Sequence, residues 1–261
     1  MGIHESRMLR HAVVMRELKV LRTERLTPHM QRIVLGGAAL AGFVSAAPDD
    51  HVKLFFPNKD GRIVQPVLGP DGLAFPADVD PSPMRDYTPR SYDEARGELT
   101  IDFVLHGDGP AASWAMQAQP GQRLGIGGPR GSHIVADDFD RYVMVGDETA
   151  LPAIGRWLKE LPRTAKAIAL IEIPEPGDHQ MLASQAEVEL QWLERQGIKP
   201  EESTLLEQAL EHLPAMQGDT FYWIAAESRR ARRMRQWLSE HRHVPKDYLK
   251  ATGYWKFGDE D

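Results

Sequence analysis

The chain has 261 residues, 42% of them apolar and 26% charged, with a formal net charge of −7. That length allows two ordinary domains with full cores, and no run approaches the roughly eighteen unbroken apolar residues of a membrane span. Cysteine is absent, which excludes disulfides, thiolate-bound zinc, iron–sulfur clusters and thiol catalysis, and the acidic balance argues against a nucleic-acid binder.

Residues 1–10 are polar and charged, without the apolar centre of a secretion signal, so a cytoplasmic location is expected. The first half then reads as β. Leu18–Arg22, Met30–Leu35 and Val52–Phe56 are short extended runs, closed by Gly36-Gly37 and Pro57. Residues 65–83 are rich in Pro, Gly and Asp and read as a long loop or ragged hairpin. Leu99–His106 alternates cleanly, with Leu99, Ile101, Phe103 and Leu105 on one face and Thr100, Asp102, Val104 and His106 on the other. Short strands broken by Gly and Pro predict a small antiparallel barrel.

Between these runs lies Arg85-Asp86-Tyr87-Thr88-Pro89-Arg90. If the segment is extended, Arg85 and Tyr87 point one way, and Thr88 and Arg90 the other. Two cations, a flat aromatic and a short hydroxyl can hold a diphosphate and a ring system, because a guanidinium makes paired hydrogen bonds to phosphate. A barrel strand with a solvent-facing arginine and a core tyrosine would carry the same residues. The small residues of Gly109-Pro110-Ala111-Ala112-Ser113-Trp114 favour the cofactor, since backbone N–H groups at a helix start can approach phosphate oxygens. FAD is the expected cofactor. His106 either contacts it or is a satisfied surface residue.

The second half alternates strand and helix. Tyr142–Val145 is a strand, followed by a helix over Leu151–Leu161 with Pro152 in its first turn. Ala167–Ile173 reads as a buried strand, and Glu187–Arg195 and Ser203–Leu213 as helices. Thr220–Ala226 is a strand leading into a helix over Arg229–Glu240. Such alternation predicts a parallel sheet covered by helices, so the fold class is α+β in two domains. The expected division is a barrel over residues 1–137 and an α/β domain over 138–261 with a C-terminal basic tail, which the resemblance given below makes FAD-binding and NAD(P)H-binding in turn.

Gly146-Asp147-Glu148-Thr149-Ala150 sits between a strand and a helix, where a nucleotide phosphate is received, although it lacks the full Rossmann glycine pattern. A plain strand–helix turn would look the same. Ala225-Ala226-Glu227-Ser228 takes the equivalent place after a later strand, and its alanines would let a nicotinamide ring approach. Residues 228–256 hold nine Lys or Arg against Glu240 and Asp247, so the remainder of the chain carries the acidic excess. A local basic field on an acidic protein suits an anionic ligand. Arg229 and Arg233 share a helix face and are candidates for the 2′-phosphate of NADPH, against the alternative of a solvated face. His241 and His243 lack a third ligand, so no metal site is expected.

Five segments occur in order: Arg85–Arg90, residues 102–115 (DFVLHGDGPAASWA), residues 125–132 (GIGGPRGS), residues 146–152 (GDETALP) and residues 253–256 (GYWK). Together they strongly resemble the siderophore-interacting protein family, NADPH-dependent ferric-siderophore reductases of the ferredoxin–NADP reductase superfamily, from about Leu18 to Gly258. The resemblance implies that Arg85, Tyr87, Thr88, Arg90, Asp102, His106 and Gly109, Ala111, Ala112, Ser113 and Trp114 hold FAD. It implies NAD(P)H at Gly146, Asp147, Glu148, Thr149, Ala150, Ala226 and Glu227, with Arg229 and Arg233 nearby. Lys53, Arg242 and Lys256 would meet the ferric siderophore. NADPH, or NADH in its place, would reduce FAD, which reduces Fe(III), so no catalytic acid–base side chain is expected. A monomer without nucleic-acid or membrane partners completes the expectation. The rival readings are a flavin reductase or electron-transfer protein of the same fold and a siderophore binder without activity.

Overall fold

A computed structural model describes residues 4–69 and 72–258. It divides into two compact units, residues 6–134 and residues 135–258 with His4 and Glu5. The change of unit falls between Ile134 and Val135, slightly before the expected boundary.

In the first unit, strands β1 (Arg7–Arg10), β2 (Met15–Thr27), β3 (Met30–Gly36) and β4 (Val52–Phe55) are followed by a short hairpin, β5 (Val67–Gly69) and β6 (Gly72–Ala74). Then come β7 (Met84–Tyr87), β8 (Pro89–Asp93), β9 (Glu98–Val104), helix α1 (Pro110–Gln117), β10 (Arg123–Gly127) and β11 (Gly131–Ile134). Seven strands make one antiparallel sheet in the order β7-β4-β10-β2-β3-β9-β8. The edge strands β7 and β8 are separated in the chain by Thr88 alone. Two Cα steps reach at most about 7 Å, so the sheet must curl until its two edges meet. The expected single strand over Arg85–Arg90 is therefore two strands, and Thr88 is the corner that closes the barrel.

Alternation fills the barrel as the pattern demands. Leu99, Ile101 and Phe103 of β9 pack with Leu18, Ile33, Leu35, Leu54 and Ile126 in one core. Helix α1 buries Ala111 and Ala115 against the same core, and the buried Gln31 amide donates to the Ala115 carbonyl at 2.8 Å. That bond anchors the end of the helix to β3.

The second unit contains β12 (Arg141–Gly146), α2 (Leu151–Glu160), β13 (Lys166–Ile173), β14 (Glu187–Glu194), α3 (Leu205–His212), β15 (Thr220–Glu227), α4 (Ser228–His241) and β16 (Leu249–Trp255). The five strands run parallel in the order β14-β13-β12-β15-β16. Two expectations are corrected here. Glu187–Glu194 is an edge strand, not a helix. Glu and Leu favour helix intrinsically, but Val188, Leu190 and Trp192 alternate with Glu189 and Gln191, and the segment pairs with β13 over its whole length. The basic tail contains the fifth strand, β16.

Helices α3 and α4 bury Leu206, Leu210, Ala231, Met234 and Leu238 against Val143, Val145, Leu170 and Ile224. Trp157 of α2 lies against Trp223 of β15, ring centres 5.8 Å apart. The N-terminal His4 joins this unit: its ring stacks on Phe139 at 3.8 Å and its nitrogens meet Asp138 at 2.6 Å and Asp219 at 3.1 Å. Burial alone would lower the His4 pKa, but the two carboxylates outweigh it and hold the imidazole above its ordinary value.

Candidate functional site

In the barrel, β7 presents Arg85 and Tyr87 half-buried while Met84 and Asp86 face solvent. Tyr87 lies against Phe103, ring centres 4.5 Å apart, and Phe103 touches Trp114 at 5.7 Å. Trp114 in turn meets Phe56 at 5.7 Å. Tyr87 thus rests on a row of aromatic rings while part of it stays accessible, which suits stacking by a further flat ring. Thr88 is buried at the barrel corner.

Beside this row, α1 begins at Gly109 with no side-chain cap and with Pro110 in its first turn. The first intrahelical bond runs from the Ser113 amide to the Gly109 carbonyl at 3.0 Å. The Ala111 and Ala112 amides are thus orphan donors of the first turn, and both residues are buried. An anion is the natural complement of such donors. The residues present fit the diphosphate of FAD.

Other expected flavin contacts have partners of their own. Asp102 is buried, and its carboxylate accepts two hydrogen bonds from the Arg32 guanidinium, at 2.7 and 2.8 Å. Arg90 adds a longer contact at 3.7 Å. Asp102 is a cross-strand clamp, set opposite Arg32 in the register, and presents no free carboxylate to a cofactor. His106 lies beyond the end of β9 and is exposed. Lys53 is exposed and donates to Asp86, its register partner, at 2.8 Å.

In the second unit the topology itself marks a site. From β12 the chain steps outward to β13 and β14, then returns to place β15 on the other side of β12. Parallel sheets bind ligands at the carboxyl ends of the strands where this reversal falls. The loops at that point are residues 146–150 and 226–228. A side chain at Gly146 would collide with Ala150 and the Ala225 carbonyl, so glycine alone lets the start of α2 approach the sheet this closely.

Inside this loop Asp147 is buried and accepts from the Thr149 amide at 3.0 Å, the Thr149 hydroxyl at 2.5 Å and the Trp255 indole at 2.8 Å. Burial first, then the neighbouring Glu148 charge, push its carboxyl up to about 6, against the Thr149 hydroxyl and the Trp255 indole. Glu148 and Glu172 belong to a buried network. Arg195 grips Glu148 at 2.5 and 2.7 Å and reaches Glu172 at 3.3 Å. Arg230 holds Glu172 at 2.8 and 2.9 Å and Glu207 at 2.8 and 3.1 Å, and Ser203 donates to Glu172 at 2.9 Å. Burial would lower the Arg230 pKa, but the two glutamates raise it. Every charge in the network is paired, as buried charges must be.

Several residues expected at the nucleotide and substrate sites have partners within the protein. Asp147 and Glu148 point into the protein toward these partners. Glu227 caps α4 by accepting from the Arg229 and Arg230 amides at 2.7 and 3.0 Å. Arg233 pairs with Glu207 at 3.1 Å, and Arg242 donates to the Leu213 carbonyl at 2.5 Å while lying over the Trp237 ring. Arg229 and Arg232 remain exposed on the first turns of α4, and Lys256 is exposed just past β16. Thr149, Ala150 and Ala226 stay at the carboxyl ends of the strands. Sequence inspection missed Arg195, Arg230 and Trp255. Their partners lie 47, 58 and 108 residues away, so no local pattern announces them.

Comparison with known proteins follows this geometry. Residues 19–133 match the family model described as siderophore-interacting FAD-binding domain, and residues 139–258 the model described as siderophore-interacting protein. The chain is 39% identical over 250 residues to an NADPH-dependent ferric-chelate reductase of Escherichia coli, covering 95% of each. It is 33% identical to a ferric vibriobactin reductase of Vibrio cholerae, covering 93% of this chain and 90% of that one. The crystal structure of a siderophore utilization protein from T. fusca superposes with a TM-score of 0.92 at 38% identity, covering 98% of both chains. The two family models together span nearly the whole chain, and relatives above 30% identity cover more than nine-tenths of it, so the chain belongs to the siderophore-interacting protein family.

Proposed function

We propose that this protein is a flavin-dependent reductase that frees iron from ferric siderophores with electrons from NADPH. The observation that carries the reading is the barrel site, where the aromatic row from Tyr87 through Phe103 reaches Trp114 of α1, a helix whose start has no side-chain cap, within a segment matching an FAD-binding family. The names of the Escherichia coli and Vibrio cholerae relatives support the acceptor, and the first of them supports NADPH.

Bound FAD would supply the coupling of two-electron hydride chemistry to one-electron reduction of Fe(III). Tyr87 and Thr88 would hold its ring system, and the amides of α1 its diphosphate, with Arg85 as a cationic partner. Thr149, half-buried at the strand ends, would flank the pyridine nucleotide, and the exposed Arg229 is the candidate for its 2′-phosphate. Hard oxygen donors bind Fe(III) more tightly than Fe(II), because the bond is largely charge on charge. A single electron therefore loosens the chelate. Lys53 and Lys256 would draw in an anionic chelate at a rate that falls with ionic strength.

Among the described residues no helix is long and apolar enough to cross a membrane. We place the protein in the cytoplasm as a monomer, to be checked by fractionation and light scattering. The function is tested by anaerobic mixing with NADPH, then with ferric chelates, while Fe(II) is trapped colorimetrically. Fe(II) should appear only when protein, FAD, NADPH and chelate are all present. Oxidation of NADPH without chelate dependence would favour a flavin reductase, and chelate binding without Fe(II) a sequestering protein.

A further inference from the structure

Strand β16 ends in a distortion whose purpose is visible in its hydrogen bonds. Ala226 pairs with Gly253, but Glu227 pairs with Trp255, so Tyr254 is an extra residue in the ladder. A bulge of this kind re-aims the side chain that follows it. Gly253 permits it, since any side chain there would collide with Ser228 at the start of α4. Beyond the bulge, the Trp255 indole donates to the Asp147 carboxylate at 2.8 Å. The Ser228 hydroxyl donates to the Trp255 carbonyl at 2.9 Å, and the Phe257 amide reaches Glu227 at 3.4 Å. Asp147 is almost wholly enclosed, at 1% exposure, and so offers little surface to a nucleotide.

We propose that Asp147 is a positioning residue: through the Trp255 indole it fixes the end of β16, and with it Lys256, at the carboxyl edge of the parallel sheet. The bond ties the loop after β12 to the last strand across the end of β15, so the segment carrying Lys256 is held from two sides. The consequence for iron reduction rests on the function proposed above; the clasp itself does not.

Three variants test it: Trp255→Phe, which keeps the ring and removes the donor, Asp147→Ala, and the double variant. Trypsin cleavage after Lys256, read as loss of residues 257–261 by mass, should quicken about tenfold in either single variant, as expected for losing one charge-assisted hydrogen bond. The double variant should be cleaved no faster than Asp147→Ala, because that change has already removed the acceptor of the Trp255 indole. In Trp255→Phe, which leaves the Thr149 bonds to Asp147 in place, the KM for ferric chelate should rise with the KM for NADPH unchanged, a split that general destabilisation does not produce. Unchanged cleavage in Trp255→Phe, or additive effects in the double variant, would overturn the proposal. Faster cleavage in a protein that reduces no chelate would uphold the clasp and refute the function.

Discussion

At the scale of single residues, the charges near the proposed sites differ in what they are free to do. Lys53 and Asp86 are both about half exposed, at 46% and 48% of their side chains, and 2.8 Å apart. Such a pair contributes about 1 kcal/mol of stability or less, but the aspartate cancels much of the lysine's field. Asp86→Asn should therefore lower the KM for an anionic ferric chelate, most clearly at low salt, and Lys53→Glu should raise it. Steady-state kinetics at two ionic strengths would check both. Equal KM values in all three proteins would remove Lys53 from the substrate site.

Asp147 gives a second test. Its folded pKa of about 6 lies above the ordinary 3.8, so the folded chain binds this proton more tightly than the unfolded one. The stability it contributes is complete below about pH 4 and is lost as pH rises through 6. Asn carries no titrating proton, so Asp147→Asn should gain on the native chain by up to about 3 kcal/mol across that window, apart from a constant offset. Urea unfolding at several pH values would reveal it. A difference that stays flat between pH 4 and 6 would show that burial does not hold this carboxyl up.

At the scale of elements, the sequence was most legible where one physical rule acts alone. Leu99, Ile101 and Phe103 alternate because one face of β9 meets the core, and the strand is found there. Helix α4 was legible from the apolar Ala231, Met234 and Leu238, which pack inward. Strand β14 was misread because helix-favouring Glu and Leu occupy an edge position that pairing with β13 decides. Strand β16 was hidden by its charges: Lys250 lies within it and Lys256 just past it, and its partner β15 supplies the apolar context. The corner at Thr88 was invisible because curling is a property of all seven strands together.

The candidate sites divide in the same way. Tyr87 and the start of α1 stand where local spacing and small side chains put them, the one half-buried on β7 and the other without a side-chain cap. The fates of Asp102, Glu148, Glu227, Arg233 and Arg242 could not be inferred, because a charged residue's partner depends on tertiary contact. Arg32 lies 70 residues from Asp102, and Arg195 lies 47 from Glu148. A basic run such as residues 229–235 suggests one anionic ligand, but the fold spends Arg230 and Arg233 on internal glutamates.

At the scale of the whole molecule, one unit is a barrel suited to a flavin and the other a parallel sheet suited to a pyridine nucleotide. Both are built without cysteine, which excludes a thiolate-bound iron–sulfur cluster as the electron carrier. The measurement that bears most directly on this account is the visible spectrum and FAD titration of the purified protein beside Tyr87→Ala and Tyr87→Phe. The native chain and Tyr87→Phe should bind one FAD each, and Tyr87→Ala should bind it about tenfold more weakly, as expected for losing one aromatic contact. A native chain that takes up no FAD, or a Tyr87→Ala protein that binds it equally well, would contradict the account.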